Sequence, residues 1–235
     1  QSQWNYLSRF TGWADVRLSP EGVDEAKKVG KLLSEHQYQF DIAFTSVLQR
    51  AIKTLYLALD EMNLEYIPVI KDYRLNERHY GDLQGKSKVD LVEKMGWEQV
   101  HAWRRGYDVK PPALSLYDSR HPSNDLRYEG IHPSTLPVGE SLKDTYERVI
   151  PFWENVIKPE VRAGKRIIIS AHGNSLRSLM MHLENIPESK ITGVEIPTGE
   201  PLIYELKPDT LKVKHKYYLR EGKKGNWISN IFHRT

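Results

Sequence analysis

The sequence predicts an α/β protein, a three-layer sandwich with a mainly parallel central sheet covered by helices on both faces. Short β-branched apolar runs alternate with amphipathic helical segments, the pattern of strands joined by crossover helices. The run Ile167-Ile168-Ile169 is apolar without interruption, as expected of a strand buried on both faces. The 235 residues suffice for one large core, and no repeat or linker divides them.

The elements follow in order. Ser19-Pro20-Glu21-Gly22 opens a helix, with serine as cap and proline in the first turn. Val23, Ala26, Val29, Leu32 and Leu33 then recur at helical spacing. Residues 40–46 read as a short strand ending in Thr45-Ser46. Residues 47–62 form an amphipathic helix with Val47, Leu48, Ala51, Ile52, Leu55, Leu59 and Met62 on one side. Residues 66–70 make a second strand, and 86–95 and 97–105 two shorter helices. Residues 107–140 are proline-rich, polar and aperiodic, a surface excursion of the length that usually serves function. Ser141 opens a helix with Tyr146, Val149, Ile150, Trp153 and Ile157 inward. The strand at 166–170 ends in a sharp turn at His172-Gly173, and a helix begins near Ser175. Residues 201–206 and 211–216 are strand-like. A single domain over 1–235 is expected, with the excursion inserted.

Composition narrows the function. A hydrophobic fraction of 39% and a charged fraction of 28% describe an ordinary soluble domain. No apolar run approaches the roughly 18 residues of a membrane span. The absence of cysteine excludes disulfides, thiolate catalysis and cysteine metal sites, and fits a reducing, cytoplasmic location. A net charge of +3 is too mild to argue for nucleic acid. The basic tract at 212–224 reads as a solvated face or a tail. The nine histidines show no H-E-x-x-H spacing, so no metal is expected. Walker, G-x-G-x-x-G and G-x-S-x-G motifs are absent.

Four clusters hold the candidate chemistry, together with the strand end at His172. Residues 1–13 are rich in short polar side chains and glycine, like an anion-binding loop. In 45–51 a strand end meets a helix start, and Arg50 either adds its fork to the free helix amides or lies solvated. Residues 74–81, Arg-Leu-Asn-Glu-Arg-His-Tyr-Gly, place one carboxylate among cations. This is either a general acid/base or a surface ion-pair network. Arg104 and Arg105 close a helix, as a bidentate anion clamp or as favourable C-terminal charges. His172 sits where open parallel sheets place their ligands, or merely caps its strand.

Taken in order, these segments resemble the cofactor-dependent phosphoglycerate mutases of the histidine phosphatase superfamily, from Ser2 to about Leu219. The matching stretches are Ser-Gln-Trp-Asn (2–5), Arg-Phe-Thr-Gly-Trp (9–13), Phe-Thr-Ser-Val-Leu-Gln-Arg-Ala (44–51) and Leu-Asn-Glu-Arg-His-Tyr-Gly (75–81). Trp-Arg-Arg (103–105), Gly-Glu-Ser-Leu-Lys-Asp (139–144) and Ser-Ala-His-Gly-Asn-Ser (170–175) complete the series. The resemblance implies phosphoryl transfer between O3 and O2 of glycerate through a phosphohistidine enzyme primed by 2,3-bisphosphoglycerate, without metal. It implies that Arg50 and His172 grip the transferring group, and that Asn5 and the amides near Gly173 and Asn174 add hydrogen bonds. Glu77 would shuttle the hydroxyl proton. Lys88, Tyr80, Arg104 and Arg105 would hold the carboxylate and second phosphate. Gln1, Ser2, Thr11, Gly12, Arg78 and His79 complete the substrate-binding set. Family members are commonly dimers or tetramers, so a homo-oligomer is expected.

Two departures stand out. The family nucleophile is a histidine in Arg-His-Gly, directly before the segment matched by Gln1-Ser2, so its strand is expected upstream of Gln1. The Ala- and Lys-rich family tail is replaced by Lys-Lys-Gly-Asn-Trp-Ile-Ser-Asn-Ile-Phe-His-Arg-Thr. Bisphosphoglycerate mutases carry Gly where Ser2 stands and Cys-Ser where Thr11-Gly12 stand, and phosphatase relatives usually lack the 77–80 and 103–105 blocks. Bisphosphoglycerate mutase or phosphatase activity is the alternative reading. A non-catalytic binder of phosphorylated metabolites is a third, should the upstream histidine be absent.

Overall fold

The computed structural model describes residues 1–221. Helices α1 (Gln3–Tyr6) and α2 (Pro20–Glu35) precede β1 (Ile42–Thr45), and α3 (Gln49–Glu61) leads to β2 (Val69–Lys71). Helices α4 (Lys88–Met95) and α5 (Trp97–Arg105) come before the excursion, which holds only short 3-10 turns. Then follow α6 (Leu142–Phe152), α7 (Lys158–Arg162), β3 (Ile167–Ser170), α8 (Gly173–Glu184), α9 (Glu188–Ile191), β4 (Leu202–Leu206) and β5 (Val213–Tyr218). The tail beyond Glu221 lies outside the described residues.

Strands β2, β1 and β3 form a parallel sheet in that order, and β4 and β5 form a separate antiparallel pair. The strand period of two sorts β1 between two cores. Ala43 packs with Leu32, Leu33, Leu55 and Leu59 of α2 and α3. Ile42 and Phe44 point the other way, to Val149 and Phe152 of α6 and Leu179 of α8. These are the two helical layers that the alternation predicted. Among the described residues no helix is long and apolar enough to cross a membrane.

Several expected boundaries move, each for a local reason. The second strand begins at Val69 rather than 66, because residues 64–67 turn (Ile67 N–H to Leu64 O, 3.2 Å) and Pro68 has no N–H to give. Residues 3–6, read as loop, make one helical turn under a Ser2 cap that accepts from the Asn5 amide. The helix opened by Ser141 relaxes into a π-turn at Trp153–Ile157, just after Pro151 removes a helix donor. Helix α8 starts at Gly173, two residues before the expected Ser175. The His172 carbonyl accepts from the Leu176 amide, and Ser175 Oγ accepts from the His172 amide at 3.1 Å.

The largest correction concerns Ile167–Ser170. It was expected to be fully buried, and β1 is, but every residue of β3 is only half-buried. β3 pairs with β1 on one side, and its other edge faces a cleft of about 1980 Å³ whose far wall is β4. The apolar run is that of a two-sided central strand, whereas its position among the described residues is an edge.

Candidate functional site

The carboxyl end of β3 opens onto this cleft, at the edge of a parallel sheet where ligands concentrate. Gln1, Ser2, Asn5, Thr11, Gly12, Arg50, Glu77, Tyr80, Lys88, Arg104, Arg105, His172, Gly173 and Asn174 all line it. Only Arg78 and His79, of the side chains expected there, are elsewhere.

His172 is the N-cap residue of α8 and 7% exposed. Its Nε2 shares a 2.8 Å hydrogen bond with Ser46 Oγ, which also accepts from the Leu48 amide at 3.2 Å. Burial above all, and then the neighbouring Arg50 charge, hold the imidazole well below its ordinary pKa, so it is neutral at pH 7. Arg50 enters from the first turn of α3. Its guanidinium donates to Gly12 O at 2.7 Å and Ala14 O at 2.9 Å, tying the 11–14 turn to the sheet end. Burial lowers its pKa to about 10, partly offset by Glu77 and Asp15, and it stays charged at neutral pH. Gly12 has φ +53°, and a Cβ there would strike Gln84 Oε1, so the turn requires glycine.

Glu77 is held by two amides: Oε1 accepts from Arg78 N–H at 2.8 Å and from Asn174 N–H at 3.1 Å. The α8 N-terminus, expected to meet a substrate anion, thus gives its Asn174 amide to this carboxylate instead. The main chain of Glu77 is fixed as well, by Trp13 Nε1–H donating to its carbonyl at 2.6 Å.

The expected roles of Arg78 and His79 in touching substrate are corrected by burial, since neither has exposed surface. Arg78 donates to the carbonyls of Trp103 and Arg104, both at 2.6 Å, satisfying the C-terminal end of α5. It therefore positions Arg104 and Arg105 from behind. His79 Nδ1 accepts from the Gly81 amide at 3.0 Å, and its ring packs edge-on to Trp13. Burial lowers its pKa to about 3. A buried Glu140–Arg148 ion pair supports this segment, with Glu140 accepting from the His79 amide and Arg148 donating to the carbonyls of residues 73, 74, 76 and 77.

The second end of the site is cationic. Lys88 begins α4 half-buried, 5.7 Å over the Phe10 ring, with its pKa lowered by burial and then by Arg104. Arg104 and Arg105 end α5, and the Tyr80 hydroxyl sits between Arg78 (3.3 Å) and the Asn174 amide nitrogen (3.4 Å). Sequence reasoning missed Ser46, Arg177 and Glu195. Ser46 carries a signal, being the last polar residue before a helix at a strand end. Arg177 and Glu195 meet their partners only through the fold. Among the described residues no group of three or more His, Asp or Glu side chains is disposed to hold a metal ion.

This arrangement has a neutral imidazole and a guanidinium at one end, a carboxylate fixed by amides, and further cations at the other end. It can hold a small molecule with two anionic groups and exchange a proton between them. A family model, that of the histidine phosphatase superfamily (branch 1), matches residues 1–217. Solved structures of similar fold include a mycobacterial glucosyl-3-phosphoglycerate phosphatase (20% identity, TM-score 0.64, 91% of each chain covered). The α-ribazole phosphatase of Shigella flexneri is also similar (21%, 0.64, 94% of this chain and 90% of that one). So is YhfR of Bacillus stearothermophilus (22%, 0.65, 96% and 94%).

Proposed function

The chain belongs to branch 1 of the histidine phosphatase superfamily, and on that premise we propose that it interconverts 3-phosphoglycerate and 2-phosphoglycerate. The observation that carries this reading is the pair of cationic ends on one cleft, Arg50 with His172 and Lys88 with Arg104 and Arg105, together with Glu77. A phosphatase needs to hold one phosphate. A mutase must hold a carboxylate and two phosphoryl positions at once, and the second cationic end suits that need.

In this reading Arg50 stabilises the charge spread over the transferring phosphoryl oxygens, and neutral His172 donates or accepts a hydrogen bond there without adding a like charge to Arg50. Glu77, fixed by the amides of Arg78 and Asn174, takes the proton of the attacking glycerate hydroxyl and returns it to the leaving one. Lys88, Arg104 and Arg105 hold the end of glycerate that does not react. The same donors suit 2,3-bisphosphoglycerate, which when bound would supply the priming phosphoryl group.

Transfer of this kind needs a nucleophilic histidine, and the Arg-His-Gly motif that carries it in the mutases has no counterpart within residues 1–235.

The test is Glu77→Gln. The glutamine keeps an acceptor for the two amides but cannot take a proton. Isomerisation should fall by about 10²- to 10⁴-fold, while phosphorylation of the enzyme by 2,3-bisphosphoglycerate stays comparatively intact. Equal loss of both steps would sink the role of Glu77. Steady phosphate release with no isomerisation and no bisphosphoglycerate requirement would replace the mutase reading with a phosphatase.

A further inference from the structure

One of the cations at the second end is already engaged. Arg105 Nη2 pairs with Glu195 Oε1 at 2.8 Å, and both side chains line the cleft. Among the described residues neither Lys88 nor Arg104 forms an ion pair, so Arg105 alone of the three meets a carboxylate. Glu195 belongs to the segment 192–201 between α9 and β4, which has no helix or strand. Its side chain is 75% exposed, against 29% for Arg105. The carboxylate thus reaches in from solvent to a guanidinium that belongs to the cleft. Such a pair is weak and easily exchanged for another anion.

The start of the segment is firmly held. Buried Arg177 donates to Ile191 O at 2.5 Å and to Asn174 Oδ1 at 3.1 Å, and the Asn174 amide holds Glu77. The segment therefore hangs from the catalytic end at Ile191 and touches the anion-holding end through Glu195.

We propose that Glu195 is a built-in competitor for Arg105: its carboxylate takes the position of the substrate's second anionic group and must be displaced when substrate binds. The pair makes Glu195 a specificity-determining residue. A ligand with one anionic group leaves the latch closed, because it fills only the Arg50–His172 end. A ligand with two opens it, and the segment 192–201 is released. This rests on the reading that Arg105 holds the non-reacting end of a phosphoglycerate.

The experiment compares the wild type with Glu195→Gln by calorimetric titration with 3-phosphoglycerate and, separately, inorganic phosphate. Amide exchange over 192–200 is followed in each state. Glutamine fills the same space without the charge. Removing an exposed competing ion pair should tighten 3-phosphoglycerate by about 2- to 5-fold and leave inorganic phosphate unchanged. Exchange over 192–200 should rise in the variant, and in the wild type on adding 3-phosphoglycerate but not phosphate. Unchanged or weaker 3-phosphoglycerate binding by the variant, or unchanged exchange, overturns the latch. A wild type that binds 3-phosphoglycerate no better than phosphate, with Arg104→Gln altering neither, overturns the phosphoglycerate reading instead. Exchange in the variant then decides the latch alone.

Discussion

Replacing Ser46 by alanine removes one oxygen that serves two buried groups. Ser46 Oγ lies 2.8 Å from His172 Nε2 and accepts from the Leu48 amide at 3.2 Å; Ser46 is fully buried and His172 nearly so. Losing the partner of one buried polar group costs about 1–3 kcal/mol. The imidazole borders the cleft, so water can reach it more readily than it reaches the Leu48 amide. The lower part of the range then applies to His172 and the full range to the Leu48 amide, and the two losses together come to about 2–4 kcal/mol. For a domain of this size, 1 kcal/mol moves Tm by about 2–4 °C. The expected fall is therefore about 4–16 °C by calorimetry. Because His172 also loses its fixed orientation, phosphoryl-transfer activity should drop further than stability explains when both forms are assayed well below Tm. A Tm within about 2 °C of wild type, with unchanged kcat, would refute the assignment of Ser46 as the residue that seats His172.

Stability should also depend on pH. His79, lowered to about 3, and His172, also lowered, resist protonation in the folded state, while the unfolded chain protonates near 6.5. Between those values the unfolded state binds more protons, so unfolding free energy falls as the pH is lowered, approaching about 1.4 kcal/mol per pH unit for each histidine. Urea titrations at pH 7, 6 and 5 read that slope, and a flat profile would contradict the buried neutral state of both rings. Arg78→Lys loses the fork that reaches two carbonyls of α5. It should cost about 2–4 kcal/mol and raise KM more than it lowers kcat, since Arg104 and Arg105 shift while Glu77 does not. Equal KM would show that these arginines do not depend on Arg78.

Local chemistry made much of this protein legible. Ser19 and Ser141 announced their helices because capping is a short-range hydrogen bond. The alternation of strands and helices announced the layers because burial imposes a period. Most of the residues that line the cleft were also legible, since strand ends followed by helix starts are local patterns, and the order of the motifs pointed to the superfamily. The clusters at 74–81 and 103–105 showed only that charge gathers there. Whether Arg78 faces a ligand or the back of α5 depends on where two segments some 25 residues apart come to rest. Larger separations, 90 and 97 residues, hid the pairing of Arg105 with Glu195 and the use of the Asn174 amide to hold Glu77.

The sequence by itself determined the α/β class, the helical and strand segments to within a few residues, and the residue types gathered at the sheet end, because these follow from periodicity and near-neighbour hydrogen bonds. Only the tertiary structure decided which charged side chains face the cleft, which are buried as supports, and that β3 lies at the edge of the sheet among the described residues. Those outcomes depend on long-range packing, in which a buried cation must find carbonyls or carboxylates wherever the fold brings them.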